Sequence, residues 1–273
     1  MTAGLWVVRY KTSERNAEHS LLAVSSLLFA ASTTLTIVWC APMSQMSEMP
    51  MPGGWTMSMT WMRMPGQTWT VATASMLGMW IVMMAAMMLP SLVPMLLRYR
   101  EAVIGVAGTR LGRLTAVVGA GYFGVWTLIG MIVVPLGFTL AEAEMRYSAL
   151  SRAVPVALGA IVVIAGALQF TAWKMHHLAC CRELPEPGRT LPADTGSAWR
   201  HGLRLGLHCS YSSAGLTAIL LVLGVMDLRV MAVVTAAITA ERLAPAGERV
   251  ARAIGIIAVC AGALLLARAA GLH

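Results

Sequence analysis

The chain has 273 residues, of which 58% are hydrophobic and only 12% are charged, and its formal net charge is +8. Soluble globular domains carry about 25% charged residues, so this composition excludes an ordinary soluble protein. The basic residues are spread over the segments between apolar stretches and form no dense basic tract, so the positive charge indicates contact with anionic lipid and excludes nucleic acid as a partner.

Apolar stretches recur along the chain and predict an all-α fold, a polytopic transmembrane helix bundle of about seven spans. The predicted spans lie near 21–41, 71–97, 114–140, 153–173, 203–223, 226–240 and 252–270. Residues 1–20 form a cytoplasmic N-terminal segment, and residues 21–273 form a single transmembrane domain. The sixth span is short and follows the fifth almost directly, which predicts a tight helical hairpin or, as the alternative, a re-entrant pair.

Lysine and arginine are unevenly divided between the segments that connect the spans. If the N-terminus is cytoplasmic, the inside segments hold 15 of the 20 basic residues and the outside segments hold 5. The positive-inside rule therefore favours a cytoplasmic N-terminus and an external C-terminus. The first apolar stretch lacks a tidy small-residue cleavage site, so we expect it to be retained as a helix.

Methionine is concentrated in one part of the chain, because 15 of the 21 methionines lie between Met43 and Met95. Eight belong to a predicted external loop, residues 42–70: Met43, Met46, Met49, Met51, Met57, Met59, Met62 and Met64. A thioether has no proton to lose, and soft sulfur ligands select Cu(I) among biological metals. The M-x-x-M and M-x-M spacings therefore predict capture of Cu(I) by this loop, and an amphipathic segment at the membrane surface is the alternative.

The second predicted span continues the methionine pattern. Met79, Met83 and Met87 recur every four residues and therefore lie on one face of a helix, with Met84 and Met88 beside them. At a rise of ~1.5 Å per residue the methionines of this span extend over ~18 Å, more than half of the ~30 Å hydrocarbon thickness. We predict that this row conducts the ion inward; packing by an adaptable apolar side chain is the alternative.

Histidine and cysteine occur together at the cytoplasmic ends of the fourth and fifth spans. His177 and Cys181 are four residues apart, so a helix would place both on one face. His208 and Cys209 reach the same depth from the neighbouring span. Imidazole and thiolate ligands suit both Zn(II) and Cu(I), so these four side chains predict a tetrahedral metal site. A buried structural cysteine and a solvated histidine are the alternative.

Three smaller features complete the pattern. Asp227, between the fifth and sixth spans, is expected to be a turn and cap residue. Glu241 and Arg242 close the sixth span and are expected to form a local ion pair, although ionisable groups within spans are functional candidates. The five cysteines are too few and too scattered for a disulfide framework, and the adjacent pair Cys180–Cys181 has poor geometry for a mutual disulfide.

The run from Trp80 to Pro90 resembles the W-x-x-M-x-x-A-M-M-x-P signature of a bacterial family of predicted metal-binding integral membrane proteins of unknown function. Later segments are similar to the same family in order and spacing, and the resemblance covers about residues 71–270. They are Lys174–Pro185, Gly206–Gly215, Gly224–Leu228 and Glu241–Pro245. The resemblance implies a metal-binding protein of the bacterial inner membrane.

The chain departs from that family at cysteine positions. The first cysteine of the family's fourth-span motif falls on His177, and its later cysteine pair falls on Ser212 and Ser213. The aromatic residue that follows falls on Ala214. Relative to the family, the set of predicted ligands therefore moves from cysteine toward methionine and histidine.

Together these patterns predict a membrane protein that binds, and translocates or delivers, a soft metal ion, with copper as Cu(I) the first candidate and zinc the second. The sequence contains no P-loop or GxGxxG motif and no catalytic triad or carboxylate pair, so the prediction is a non-enzyme whose transport is passive or driven by a partner. The alternative is an accessory subunit of a copper-dependent monooxygenase or oxidase. The expected partners are the lipid bilayer, other membrane subunits and a copper chaperone.

Overall fold

The computed structural model describes residues 2–44, 49–51, 55–57, 61–62, 66–103, 109–182 and 191–271. These ranges contain eight helices and one two-stranded antiparallel hairpin. The helices are α1 (Thr2–Ser44), α2 (Trp69–Ala102), α3 (Thr109–Arg146), α4 (Ser148–Leu168), α5 (Ala172–Arg182), α6 (Thr195–Gly224), α7 (Leu228–Leu243) and α8 (Gly247–Ala269), and the strands are β1 (Met49–Met51) and β2 (Trp55–Met57).

Six of the described helices are long and apolar enough to cross a membrane: α1 (over Glu18–Ala41), α2, α3, α4, α6 and α8. The all-helical fold predicted from the apolar stretches is therefore confirmed. The predicted span 226–240 corresponds to α7, which has 16 residues, fewer than the ~20 that usually cross the hydrocarbon layer. The predicted N-terminal segment 1–20 is helical from Thr2 and continuous with the first span.

The fourth predicted span, 153–173, contains a break. α4 ends at Leu168, and the backbone N–H groups of Gln169, Phe170 and Thr171 each bond a carbonyl three residues earlier. This tightening ends the helix, and the Thr171 hydroxyl then accepts a bond from the N–H of Lys174 in the first turn of α5. The helices on the two sides of the break have different neighbours: α4 packs mainly on α8, whereas α5 packs on α6 and α7.

A short turn joins α6 to α7 as an antiparallel hairpin. Gly224 has φ +132°, a backbone conformation that glycine adopts without strain. Asp227 then accepts hydrogen bonds from the N–H groups of Arg229 (2.7 Å) and Val230 (3.3 Å), which confirms its predicted role as a cap. Arg242, at the far end of α7, returns to the level of Cys209 in the middle of α6.

Glycines on α6 allow its backbone to contact the backbone of α3 directly. A Cβ on Gly206 would lie 2.9 Å from the carbonyl oxygen of Tyr122, and Gly202 meets the backbone of Val118 in the same way. Because Val118 faces Gly202 and Tyr122 faces Gly206, the two helices run in the same direction. This close parallel contact places Tyr122 beside Cys209, which is the first requirement of the site described next.

The predicted methionine loop contains the β1–β2 hairpin. Met49 pairs with Met57 and Met51 with Trp55 in the strand register. Met51 is buried against Ala141 of α3, and the Trp55 indole donates a 2.8 Å hydrogen bond to the carbonyl of Ser151 in α4. The hairpin is therefore held against the junction of α3 and α4.

Candidate metal site

The methionines of α2 lie inside the helix bundle. Each of the six is at most 6% exposed: Met76, Met79, Met83, Met84, Met87 and Met88. α2 is in contact with α1, α3 and α7, so both the predicted face and the methionines beside it meet protein instead of lipid. We call these six residues the methionine row.

The inner end of the methionine row meets a cysteine. The Sγ of Cys209 lies 4.0 Å from the Sδ of Met88, 2.7 Å from the Tyr122 hydroxyl and 2.9 Å from Nη2 of Arg242. These four side chains come from α6, α2, α3 and α7, and Cys209 is completely buried. A soft thiol and a soft thioether thus face each other beside a cation and a phenol.

Arg242 ties three helices together around that cysteine. Its guanidinium donates hydrogen bonds of 3.1 Å to the Ser91 hydroxyl, the Cys209 carbonyl and the Ser212 hydroxyl. Ser91 follows Pro90, which has no N–H to bond the preceding turn of α2, and its own hydroxyl donates to the Met88 carbonyl. The planar guanidinium can serve several acceptors at fixed angles, a task that a lysine ammonium does less well.

Glu241 does not pair with its neighbour Arg242, which corrects the expected local ion pair. Its Oε2 lies 2.7 Å from Nζ of Lys174, and both side chains are almost fully buried. Lys174 also donates to the carbonyl of Ser212. Adjacent residues on a helix point about 100° apart. Glu241 therefore faces α5, whereas Arg242 faces α2 and α6.

The three buried ionisable residues near Cys209, Lys174, Glu241 and Arg242, have an excess of positive charge. Lys174 and Glu241 offset one another, and among the described residues no carboxylate lies within ion-pair distance of Arg242. Its partners are hydroxyl, carbonyl and thiol groups. We call Lys174, Glu241 and Arg242 the buried charge cluster. The sequence pattern indicated Cys209 as a ligand and singled out Glu241 and Arg242, but it did not indicate Lys174 or the place of these three residues beside Cys209.

The four predicted tetrahedral ligands do not converge. Cys209 faces Met88, the Sγ of Cys181 lies 3.9 Å from the Ser212 hydroxyl, and Nδ1 of His177 lies 3.0 Å from Nδ1 of His208. Across the ranges that the structure describes, no three His, Cys, Asp or Glu side chains form a group that could hold a metal. His208 and Cys209 are adjacent, so one helix cannot direct both side chains to the same point.

The two histidines form a separate cluster with aromatic neighbours. The ring of His177 contacts both Trp173 and Tyr211, with centroid distances of 4.9 and 5.0 Å. Burial lowers the pKa of His177, and the nearby rings of His208 and His176 lower it further. A neutral imidazole keeps one ring nitrogen free as an acceptor, so the facing Nδ1 atoms can share a hydrogen bond.

Replacing His208 with alanine is expected to raise the pKa of His177 toward its ordinary value, because one charge that opposes protonation is removed. Since its pKa is lowered in the folded chain, neutral His177 contributes stability above pH ~6.5 that is lost as pH falls through the folded pKa. Histidine-ring NMR in micelles measures this titration. His201→Ala is the control, because His201 stacks on Tyr99 instead. An unaltered His177 titration in His208→Ala would contradict the contact.

The methionines of the predicted external loop are only partly described. Met43 belongs to the last turn of α1, Met49 and Met51 to β1, and Met57 to β2, and Met62 lies just before α2. The remaining three predicted ligands lie outside the described residues: Met46, Met59 and Met64. The hairpin register sets the backbones of Met49 and Met57 opposite one another. Capture of Cu(I) by this segment stays a prediction.

All five cysteines are free thiols, in agreement with the expected absence of a disulfide framework. A family model described as PpoB2 copper chaperone matches residues 77–265, more than two thirds of the chain. The matched stretch contains most of the methionine row, Cys209 and the buried charge cluster. No curated protein and no solved structure matches the chain significantly. The length of the family match means that this chain belongs to the PpoB2 copper chaperone family.

Proposed function

We propose that this chain is a membrane-embedded copper chaperone that accepts Cu(I), carries it along the methionine row and releases it to a partner protein. The observation that carries the proposal is the 4.0 Å approach of the Met88 and Cys209 sulfurs at the end of six buried methionines. The name of the matched family, copper chaperone, supports the same function. No feature of the described residues calls for catalysis by the chain itself.

The donor set favours Cu(I) over Zn(II). Zinc in proteins is held by three or four nitrogen, sulfur or oxygen ligands, and no such group exists among the described His, Cys, Asp and Glu residues. Cu(I) prefers soft sulfur. With metal–sulfur bonds of about 2.3 Å, one ion can bridge two sulfurs 4.0 Å apart in a bent arrangement. A third position stays open for an incoming or departing ligand.

The position of Arg242 favours transfer of Cu(I) over its storage at this site. Its guanidinium already bonds the Cys209 sulfur, so an arriving Cu(I) must displace it. A hydrogen bond to a charged group contributes about 1.5–3 kcal/mol. Loss of this bond lowers the affinity for copper and favours release to a partner with a stronger ligand set.

The relative directions of the helices support seven spans. α3 and α6 run parallel, and α4 and α8 run antiparallel, as expected if successive spans alternate and α7 is one of them. The 15 to 5 division of basic residues favours a cytoplasmic N-terminus. In this arrangement the methionine loop faces outward as the predicted capture segment, and Cys209 lies in the inner half of the bilayer. The partner would be a copper-dependent membrane enzyme.

Binding of Cu(I) to the purified chain in nanodiscs tests the proposal. Met88→Leu and Cys209→Ala are each expected to weaken the binding of one copper equivalent at least tenfold, measured by competition with a chromogenic Cu(I) chelator under anaerobic conditions. Met131→Leu is the matched control, because Met131 lies on α3 and is 54% exposed. Wild-type affinity and stoichiometry in both site variants would overturn the proposal, as would displacement of the bound copper by equimolar Zn(II).

A further inference from the structure

A second cysteine and methionine meet at the other end of the bundle. The Sγ of Cys40 lies 3.6 Å from the Sδ of Met226, and the two side chains are 1% and 6% exposed. Cys40 lies near the end of α1, and Met226 lies in the turn between α6 and α7. The contact joins residues 186 positions apart in the chain, and it brings together two soft donors in a buried place.

The register of the helices places this pair at the outer end of the methionine row. α2 and α3 are antiparallel, since Trp80 faces Trp126 and Trp69 faces Phe138. α3 and α6 are parallel and α6 and α7 antiparallel, so α7 runs in the same direction as α2.

Arg242 of α7 contacts Ser91 of α2. Because the two helices are parallel, Met226 precedes Arg242 by nearly as many residues as Met76 precedes Ser91. Met226 and Met76 therefore lie within about one helical turn of each other along the bundle. Cys40, Met76 and Met226 also belong to one buried cluster. The methionine row thus begins beside one cysteine–methionine pair and ends at another.

We propose that Cys40 and Met226 form a Cu(I) site of their own at the outer end of the methionine row, a proposal that rests on the proposed function. Binding would form one bond from each sulfur to copper and release the Cys40 thiol proton to water. Sulfurs 3.6 Å apart can share one ion through bonds of about 2.3 Å at a bent angle. The open side of that angle admits a third sulfur, and Met76 is the row residue at the same height.

Charge supports this assignment. A thiolate, a thioether and Cu(I) together carry no net charge, so the loaded pair can stay buried without a counter-ion. No charged side chain of the described residues bonds to Cys40, whereas Arg242 bonds to Cys209. Cys40 precedes the stretch 77–265 that matches the family model, and Met226 lies within it.

Copper stoichiometry of the full chain in nanodiscs tests the assignment. Cys40→Ala and Met226→Leu are each expected to lose one Cu(I) equivalent, whereas Cys260→Ala, which removes an exposed cysteine on α8, is expected to lose none. Met226→Cys should bind that equivalent at least tenfold more tightly, because two thiolates replace a thiolate and a thioether. This gain cannot arise from misfolding. Total proton release per chain at copper saturation should fall by about one in Cys40→Ala.

The results separate this site from the inner one. If Cys40→Ala and Met226→Leu keep wild-type stoichiometry and Met226→Cys gains no affinity, the pair is only an S–H···S packing contact and the outer site is overturned. The proposed function would then still stand on Met88 and Cys209. If Cys209→Ala and Met88→Leu change nothing while Cys40→Ala loses an equivalent, the outer site is supported and the inner site fails.

Discussion

Replacing Lys174 with methionine is expected to destabilise the folded protein by about 3–5 kcal/mol, because Glu241 would remain as a buried charge without its partner. Its Oε1 has no hydrogen-bond partner among the described residues, and its Oε2 would lose the ammonium that it now bonds. The measurement is the free energy of unfolding in mixed micelles, together with the monodisperse fraction after purification.

A second variant separates charge from packing. Lys174→Met combined with Glu241→Gln removes both charges and is expected to recover most of the lost stability, since a buried ion pair often costs as much to desolvate as it returns. Arg252→Met is the control. It breaks the pair with Glu248, whose members are 60% and 64% exposed, and should cost less than about 1 kcal/mol. Equal destabilisation of the single and double variants would mean that the ammonium acts through its bond to Ser212 instead.

The location of the buried charge cluster explains why the chain tolerates its cost. Lys174 lies just after the break between α4 and α5, and Glu241 and Arg242 lie in the last turn of α7. Two helices shorter than the hydrocarbon thickness thus bring their charged ends against the long helices α2 and α6. The ion pair fixes α5 to α7, and the guanidinium fixes α7 to Cys209. The cluster therefore determines where the inner end of the methionine row meets its cysteine.

Hydropathy and period predicted most of the helices and the shared face of Met79, Met83 and Met87. A spacing of four residues places these three residues on one face whatever the neighbours are, and the structure shows that this face is buried. The cap at Asp227 could also be predicted, because the acceptor and the N–H groups that it bonds are only two and three residues apart in the chain. Features determined within one helical turn can be predicted from sequence alone.

Features that depend on helix rotation could not be predicted. Lys174 and Glu241 are 67 positions apart, and nothing local selects that partner over Arg242. The separation of the four predicted ligands has the same cause, because Cys209 and His208 point to different neighbours once α6 is packed. One signal was present in the sequence: a charged residue at the end of an apolar span must find a partner, and Lys174 and Glu241 are both such residues.

Replacing Met79, Met83 and Met87 together with leucine is expected to slow the passage of Cu(I) to the inner site at least tenfold while leaving the fold intact. Leucine and methionine have similar volumes, so each exchange in this packed interior should cost less than about 1.5 kcal/mol. The thioether is the property that is lost. These three residues precede Met88, so equilibrium binding at the Met88–Cys209 pair should remain.

The measurement is made in vesicles that contain the oriented protein, with Cu(I) added outside and a Cu(I) dye enclosed. Wild type and the exposed control Met131→Leu should load the dye at the same rate, and the triple variant should lag with an unchanged end point. Equal rates for wild type and the triple variant would mean that the row only packs the core. A slower rate accompanied by weaker equilibrium binding of Cu(I) at the Met88–Cys209 pair would place the defect in the inner pair, because the row is expected to act on the rate alone.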